Sequence, residues 1–428
     1  MTRAMTFGRY DYGTFGVYMA YAACSLVIPV VLVAMAKELR FPLDEGGMAS
    51  GGALHAVRSM AIVLSLVLSG FVAGRFGLRI SMGAAACLMG AGILAVGFAP
   101  SYGVVLAAVL LAGLGEGIIE GLGTPVIQQL HLDQPGRYIN FTHSFWSIGT
   151  VSAVLAVGVL LWAGVSWRWI VLGVGVLSLL PAMAYFGPRR SEKVRAEAAC
   201  LDVAEPLSGR VVVAKCLDVT RRGRFWVFFA MMFFAGGGEF CLTFWTASYI
   251  QLEFKHQLTP GQLAWMGGVG TAVFAAGMIA SRIGWAWLLR QHHLYWMLIG
   301  SAAAGIFICL PIVWITSLWW LLGVLFFAGV ATGPLWPSLQ SYSTDRLPVD
   351  TTMLFILLSC AGVPGCGVFT WVMGAIGDHW GLRVSYYLVP MCFTIITVLL
   401  ALDRAVPPKK NDAQARGRGD VEKVVGIA

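Results

Sequence analysis

The sequence predicts an all-α membrane protein, with twelve transmembrane helices arranged as two pseudo-symmetric six-helix bundles. Three observations predict it. Of 428 residues, 58% are hydrophobic and only 12% charged, with a mean hydropathy of +0.78; a soluble domain carries roughly 25% charged residues. Such a chain has too little polar surface to face water, and its 16 Trp and 24 Phe are incompatible with disorder. Second, the apolar residues fall into twelve windows of the ~20 residues needed to cross a bilayer core. Third, a basic stretch divides these windows six and six.

In chain order the windows lie near 13–36, 48–73, 78–99, 102–129, 140–164 and 167–187, then 225–250, 261–289, 293–313, 317–343, 351–377 and 383–403. Tyr21-Ala22-Ala23-Cys24 has a faint likeness to a lipoprotein cleavage box, but the apolar run continues to Ala36, which reads as an uncleaved first span. The expected organisation is an N-terminal bundle over 1–187, a basic cytoplasmic linker over 188–223, a C-terminal bundle over 224–403 and a cytoplasmic tail over 404–428. With the N-terminus inside, the cytoplasmic segments hold 23 of the 29 Lys and Arg, the opposite side holds 5, and Arg58 lies within the second span. That bias places both termini and the linker in the cytoplasm of an inner-membrane protein. The linker is read as a solvated segment near anionic lipid, so the net charge of +8 does not point to nucleic acid. The nine Cys form no C-x-x-C pair, so neither a disulfide framework nor a metal site is indicated.

A shift of 212 residues aligns Gly117 with Gly329, Gly121 with Gly333, Pro125 with Pro337, Gln128 with Gln340 and Asp133 with Asp345, all in or just after the fourth and tenth spans. Two parallel halves with a site between them is an architecture of secondary transporters. Gly113, Gly117 and Gly121 form a small-residue stripe that lets a neighbouring helix approach. Trp336-Pro337 and Pro364-Gly365-Cys366-Gly367 are expected to break or kink their helices. Trp285, Trp287, Trp319, Trp320, Tyr386 and Tyr387 lie near span ends as interfacial anchors.

Charges inside the spans are the informative residues, because each costs on the order of 2.5–3.5 kcal/mol near a helix centre. Glu116 and Glu120 share a face of the fourth span, with Thr124 one turn on; Glu239 is in the seventh span, and Arg58 with His55 in the second. They converge on one depth, as a buried site between helices requires. Glu120 and Glu239, then Glu116, are the candidate proton-coupling carboxylates. Alternatively, Arg58 neutralises Glu116 or Glu120 in a structural pair, binds an anionic substrate group through its planar fork, or snorkels outward. His55 reads as a polar neighbour or a proton relay. No catalytic triad, phosphate loop or metal-ligand spacing occurs, so the chain is not expected to be an enzyme.

Gly115–Pro125, followed by Arg137–Gly149, resembles the major facilitator superfamily, and within it the fucose-permease-like sugar:proton symporters. That group has a fourth-helix Glu, a Pro five residues later and an R-x-N-x-x-(H/Q) entry to the fifth helix, matched here by Glu120, Pro125, Asn140 and His143 with one extra residue after Arg137. Gly238-Glu239 with Trp245 is similar to its seventh-helix pattern. Gly70–Arg79 resembles the superfamily's loop between helices two and three, where Gly70, Arg75, Gly77 and Arg79 would act as a conformational gate. Its usual Asp is Gly74 here, which weakens the implied cytoplasmic latch. Gly374–Arg383 resembles the turn between the last two helices. The resemblance implies the major facilitator fold and, because no acidic residue lies between Tyr12 and Ala36, proton coupling through Glu116, Glu120 or Glu239.

The expected function is secondary active transport of a small polar solute, a sugar or sugar-like compound, by proton-coupled uptake with alternating access. Arg58, His55, Asn140, His143, Trp146, Trp245, Trp336 and Gln340 are the candidate substrate-binding residues, aromatic faces suiting sugar C–H faces and amides or imidazoles suiting hydroxyls. The proton gradient replaces any cofactor, and the partners are the solute and the lipid bilayer around a monomer. The rivals are an organic-anion transporter or drug and metabolite exporter of the same fold, and a non-transporting membrane receptor.

Overall fold

The computed structural model of the chain describes residues 5–132, 135–202, 209–288 and 294–405, among which there is no strand. Eleven helical stretches among them are long and apolar enough to cross a membrane. One of these, Met48–Phe98, has 51 residues, about 76 Å at ~1.5 Å per residue, which is more than twice a hydrocarbon core. It reverses at Gly77, whose φ of 78° and ψ of 158° suit glycine alone. The stretch is therefore two spans, 48–76 and 78–98, and the twelve expected crossings are present.

Span 1 is Arg9–Glu38 and spans 2 and 3 are the two arms of Met48–Phe98; span 4 is Tyr102–Leu130, span 5 Pro135–Trp162 and span 6 Trp167–Phe186. Span 7 is Gly223–Glu253, span 8 Pro260–Leu288, span 9 Leu294–Trp314, span 10 Leu318–Arg346, span 11 Thr351–Trp380 and span 12 Leu382–Ala405. An even number of crossings brings Arg9 and Ala405 to one face, the terminal face; the other is the distal face.

Within each half, glycines set the helix spacing. A Cβ at Gly117 would collide with the Ile62 carbonyl and Ser65, and one at Gly121 with Ser69, so span 4 lies directly on span 2. Span 10 repeats this on span 8: Gly329 faces the Phe274 backbone and Gly277, and Gly333 faces Ser281 and Met278. Ile62 with Phe274 and Ser69 with Ser281 are again separated by 212 residues, so the repeat extends to both partners of the packing. Asp133 of that repeat lies outside the described residues.

Three expectations of local structure are refined. Span 10 is interrupted at Gly333-Pro334, between Leu318–Thr332 and Leu335–Arg346, one turn before Trp336-Pro337. Pro337 lacks the N–H that would reach the Gly333 carbonyl in a continuous helix, so the interruption falls where that bond is missing. Span 11 runs unbroken through Pro364, and its glycines serve close packing: Gly365 faces the Phe233 backbone and Gly362 the Trp336 ring. The linker is not simply solvated, because helices Glu192–Leu201 and Gly209–Thr220 form in it, with Ala198, Leu201 and Val219 fully buried. Among the aromatic anchors, Trp319 and Trp320 are exposed, whereas Tyr386 is buried against Tyr249, ring centroids 4.6 Å apart; the Trp287 side chain is outside those described.

The halves meet where span 2 packs on span 11, span 5 on span 8 and span 1 on span 7. The tightest approaches lie toward the distal face: a Cβ on Gly52 would stand 2.7 Å from the Trp371 Cα, one on Gly374 2.7 Å from the Met48 carbonyl carbon, and one on Gly268 2.6 Å from the Val154 oxygen. On the terminal face, ion pairs hold each half separately. Asp403 of span 12 gathers Arg224 at 2.9 Å, Arg346 at 3.0 Å and the Tyr342 hydroxyl at 3.1 Å.

If glycine sets the spacing of spans 2 and 4, Gly117→Val destabilises the protein by about 1–3 kcal/mol through overpacking, read as a lowered Tm in detergent. Gly103→Val, where a side chain meets open space, leaves the Tm within experimental scatter. Equal melting of the two variants counts against this packing.

Candidate functional site

Spans 2 and 4, held together by those glycines, place Arg58 opposite Glu116. The Arg58 Nε donates to Glu116 Oε2 at 2.7 Å, and its Nη2 pairs with Oε1. The remaining donors reach Ser25 of span 1, with Nη1 to the carbonyl and Nη2 to the hydroxyl, each at 3.3 Å. Arg58 is 2% exposed and Glu116 is 0% exposed. Four of the five guanidinium N–H donors are therefore met by protein, and the group does not reach toward either surface. A two-pronged pair of this kind satisfies its charges where neither water nor lipid can.

Glu120 lies one helical turn nearer the terminal face. Unlike Glu116 it makes no ion pair or hydrogen bond among the described residues. Tyr18 and Tyr21 of span 1 are close enough to feel its charge. Beside it, His143 of span 5 is exposed and sets its Nε2 3.2 Å from the Thr124 hydroxyl and 3.5 Å from that of Tyr18. Spans 1, 4 and 5 thus present a polar face with one unpaired carboxylate.

The opposing half contributes Glu239 of span 7, 7% exposed, and Arg282 of span 8, whose Nη2 is 4.0 Å from the Glu239 Oε1. Arg282 is oriented by its Nε, which donates to the Gly333 carbonyl at 2.9 Å where span 10 breaks. Trp146 and Thr150 of span 5 close over this pair with Thr243 and Thr271, leaving a cavity of about 20 Å³, enough for one water molecule. Trp146 therefore brings the N-terminal half to the Glu239–Arg282 pair.

Other candidates lie apart from this centre. His55 is buried, stacked on Phe240 with ring centroids 4.7 Å apart, and its Nε2 has no partner among the described residues. Trp245 is fully buried, donates from Nε1 to the Thr370 carbonyl at 3.0 Å and packs against Gly51, which places it in the distal seam. Trp336 covers Gly362, and Gln340 donates to the Ser359 hydroxyl at 3.3 Å. Asn140 belongs to span 5, but its side chain is outside those described. In the gate, Gly70 and Arg75 end the first arm, Gly77 makes the reversal, and Arg79 donates to Asp202 at 2.8 Å and to the Tyr185 carbonyl at 2.7 Å. Of the loop's two cations, Arg79 is thus held by the linker and span 6. Among the described residues there is no cluster suited to a metal ion.

Arg282 is the site residue that sequence reasoning missed. The sequence groups it with the 23 cytoplasmic charges, although it stands seven residues inside the span expected at 261–289. Applying the membrane cost of a charge to every residue within a window, and not only to those at mid-span, would have found it.

The model of the Major Facilitator Superfamily matches residues 13–293 and 255–425. The chain belongs to this superfamily. Its fold is that of solved transporters. A D-xylose-proton symporter aligns with a TM-score of 0.71 at 12% identity, covering 94% of this chain and 98% of the other. The nucleoside transporter NupG aligns at 0.72 and 13%, covering 92% and 98%. A bacterial homologue of the human lysosomal transporter Spinster, in an inward-facing and occupied conformation, aligns at 0.69 and 14%, covering 92% and 96%. No curated protein matches the sequence. As a member of the superfamily the chain is a multi-pass membrane transporter, not an enzyme.

The Arg58–Glu116 pair gives a test of its own. Arg58→Met alone strands a buried carboxylate and is expected to cost about 3–5 kcal/mol, whereas Arg58→Met with Glu116→Leu removes both charges and regains most of that loss. Thermal unfolding of the two variants beside the parent checks this, and a double variant no better than the single one contradicts it.

Proposed function

We propose that this transporter takes up a small polar solute, sugar or sugar-like, together with protons, and that Glu120 carries the proton. The observation that carries the reading is the charge balance of the centre. Of its three carboxylates, Glu116 is matched by Arg58 and Glu239 faces Arg282 at 4.0 Å, while Glu120 has no cation beside it among the described residues. An unpaired carboxylate out of water is favoured only when neutral, so Glu120 releases a proton when water or a cation reaches it and binds one when enclosed. The exposed His143 and the Thr124 hydroxyl near Glu120, and Trp146 beside Glu239, are groups suited to hydroxyls and sugar faces.

The excess of Lys and Arg on the segments of the terminal face supports an inner-membrane protein with that face in the cytoplasm. The D-xylose-proton symporter and the nucleoside transporter among the similar folds are in keeping with a hydroxylated solute. A second reading, an organic anion, is favoured by Arg282: its 4.0 Å pairing with Glu239 and its 31% exposed side chain leave guanidinium donors for a carboxylate that the buried Arg58 cannot offer.

Reconstituted in proteoliposomes, the protein is expected to accumulate a member of a panel of sugars and sugar acids when the outside is acid. Glu120→Gln should lower that accumulation roughly tenfold or more while leaving exchange of the same solute across the membrane intact. Undiminished accumulation by Glu120→Gln would falsify the assignment, and equal uptake without the pH gradient removes the proton altogether.

A further inference from the structure

Span 2 starts without a cap of its own. Gly47 stands at its N-cap and offers no side chain, so the first N–H groups of the helix need acceptors from elsewhere. They find them in the other bundle. Asp378, near the end of span 11, accepts the Met48 N–H on Oδ1 at 2.7 Å and the Ala49 N–H on Oδ2 at 2.8 Å. A carboxylate gripping two N–H groups at the positive end of a helix is a strong arrangement. It lies in the distal seam, beside the Gly52 and Gly374 contacts that close that face.

Asp378 belongs to Gly374–Arg383, and a shift of 304 residues lays this stretch on Gly70–Arg79. Gly70 meets Gly374, Gly77 meets Gly381, Leu78 meets Leu382 and Arg79 meets Arg383. The backbones agree as well: φ and ψ are 78° and 158° at Gly77, and 86° and 150° at Gly381. The two loops are one structural device at opposite faces of the molecule, and they differ at the capping position. Where the distal loop has Asp378, the terminal loop has Gly74. The helix start that a carboxylate at 74 would serve, that of span 11, already has its own cap: Asp350 accepts the Met353 N–H at 2.9 Å. Lys215 of the linker, donating at 2.8 Å, and that N–H hold the Asp350 carboxyl below the usual carboxylate range. One helix start borrows its cap across the seam, and the other owns its cap.

We propose that Asp378 is a one-sided latch, which caps span 2 only while the distal face is closed and, having no counterpart at Gly74, tilts the resting protein toward the form open at the terminal face. Opening the distal face separates span 2 from span 11 and returns two N–H groups and a carboxylate to water. Closing the terminal face forms no matching contact in exchange. The bias follows from the difference between two loops of otherwise equal geometry.

Hydrogen exchange of the full-length protein in nanodiscs, followed by mass spectrometry, tests this on peptides covering the start of span 2 (48–52) and the start of span 11 (351–355). In Asp378→Ala the 48–52 amides should exchange about tenfold faster, the worth of one charge-assisted hydrogen bond, with a smaller increase in Asp378→Asn. Gly74→Asp should likewise speed exchange at 48–52, and should slow it at 351–355 by supplying the absent terminal latch. Unchanged exchange at 48–52 in Asp378→Ala overturns the proposal, as does Gly74→Asp that alters neither peptide. Should Asp378→Ala fail to fold, the isosteric Asp378→Asn decides, with unchanged exchange counting against the latch. The readout involves neither solute nor proton, so it stands or falls apart from the transport assay of Glu120→Gln.

Discussion

A charge within the hydrocarbon region must be answered inside the protein, because lipid supplies no counter-charge and no hydrogen bond. This constraint organises the centre of the molecule. Arg58 is answered by Glu116 and Ser25, so span 1, span 2 and span 4 are fastened at mid-membrane. Glu239 and Arg282 answer one another only at 4.0 Å, and Glu120 has no answer among the described residues. The three carboxylates thus form a series from locked to free. A pair as complete as Arg58–Glu116 cannot exchange partners without stranding a buried charge, which suits a fixed strut. The looser groups are the ones that water, a proton or a solute can engage as the cleft opens.

The strut depends in turn on the glycine stripe. Arg58 and Glu116 meet because Gly113 lies against the Arg58 carbonyl and Gly117 against that of Ile62, an approach that any side chain would prevent. The same device at Gly329 and Gly333 sets span 10 on span 8. There the product differs: Gly333 also offers its carbonyl to Arg282 at the point where span 10 breaks. Duplication gave both halves one packing rule, while the residues placed on it have diverged into a closed pair on one side and an open pair on the other.

Much of this was legible in the sequence, for physical reasons that differ residue by residue. The twelve spans were legible because hydropathy over twenty residues is a local property and lipid tolerates few exceptions. Glu116, Glu120, Glu239 and Arg58 stood out because charge in such windows is rare. Which carboxylate Arg58 would take was not legible, since Glu116 and Glu120 share one helix face and only the relative height of spans 2 and 4 separates them. Arg282 was overlooked because it lies near a window's end, where a charge costs less and resembles a loop residue. Trp245 read as a cavity residue because a tryptophan in a span suits either role; the carbonyl it meets, that of Thr370, is 125 residues away and invisible to spacing. The linker's buried Ala198 and Leu201 sit among charges whose average conceals them.

The asymmetry between Gly74 and Asp378 bears on how an alternating-access protein rests. Two halves related by a repeat would, if their seams were also alike, have no reason to prefer either closure. The loops at Gly77 and Gly381 show that the backbone kept the likeness, down to a shared left-handed glycine. The side chains did not. Asp378 commits its charge to span 2 on the distal side, whereas Asp350 commits its own to span 11 and to Lys215, within one half and its linker. A bond across the seam is lost when the seam opens; a bond within one half survives both states and favours neither. Only the first kind can set the balance between states, and it is found at the distal face. The preference for a terminal-side opening is thus carried by a single carboxylate and by the absence of one at its counterpart, leaving the centre free to answer to its solute.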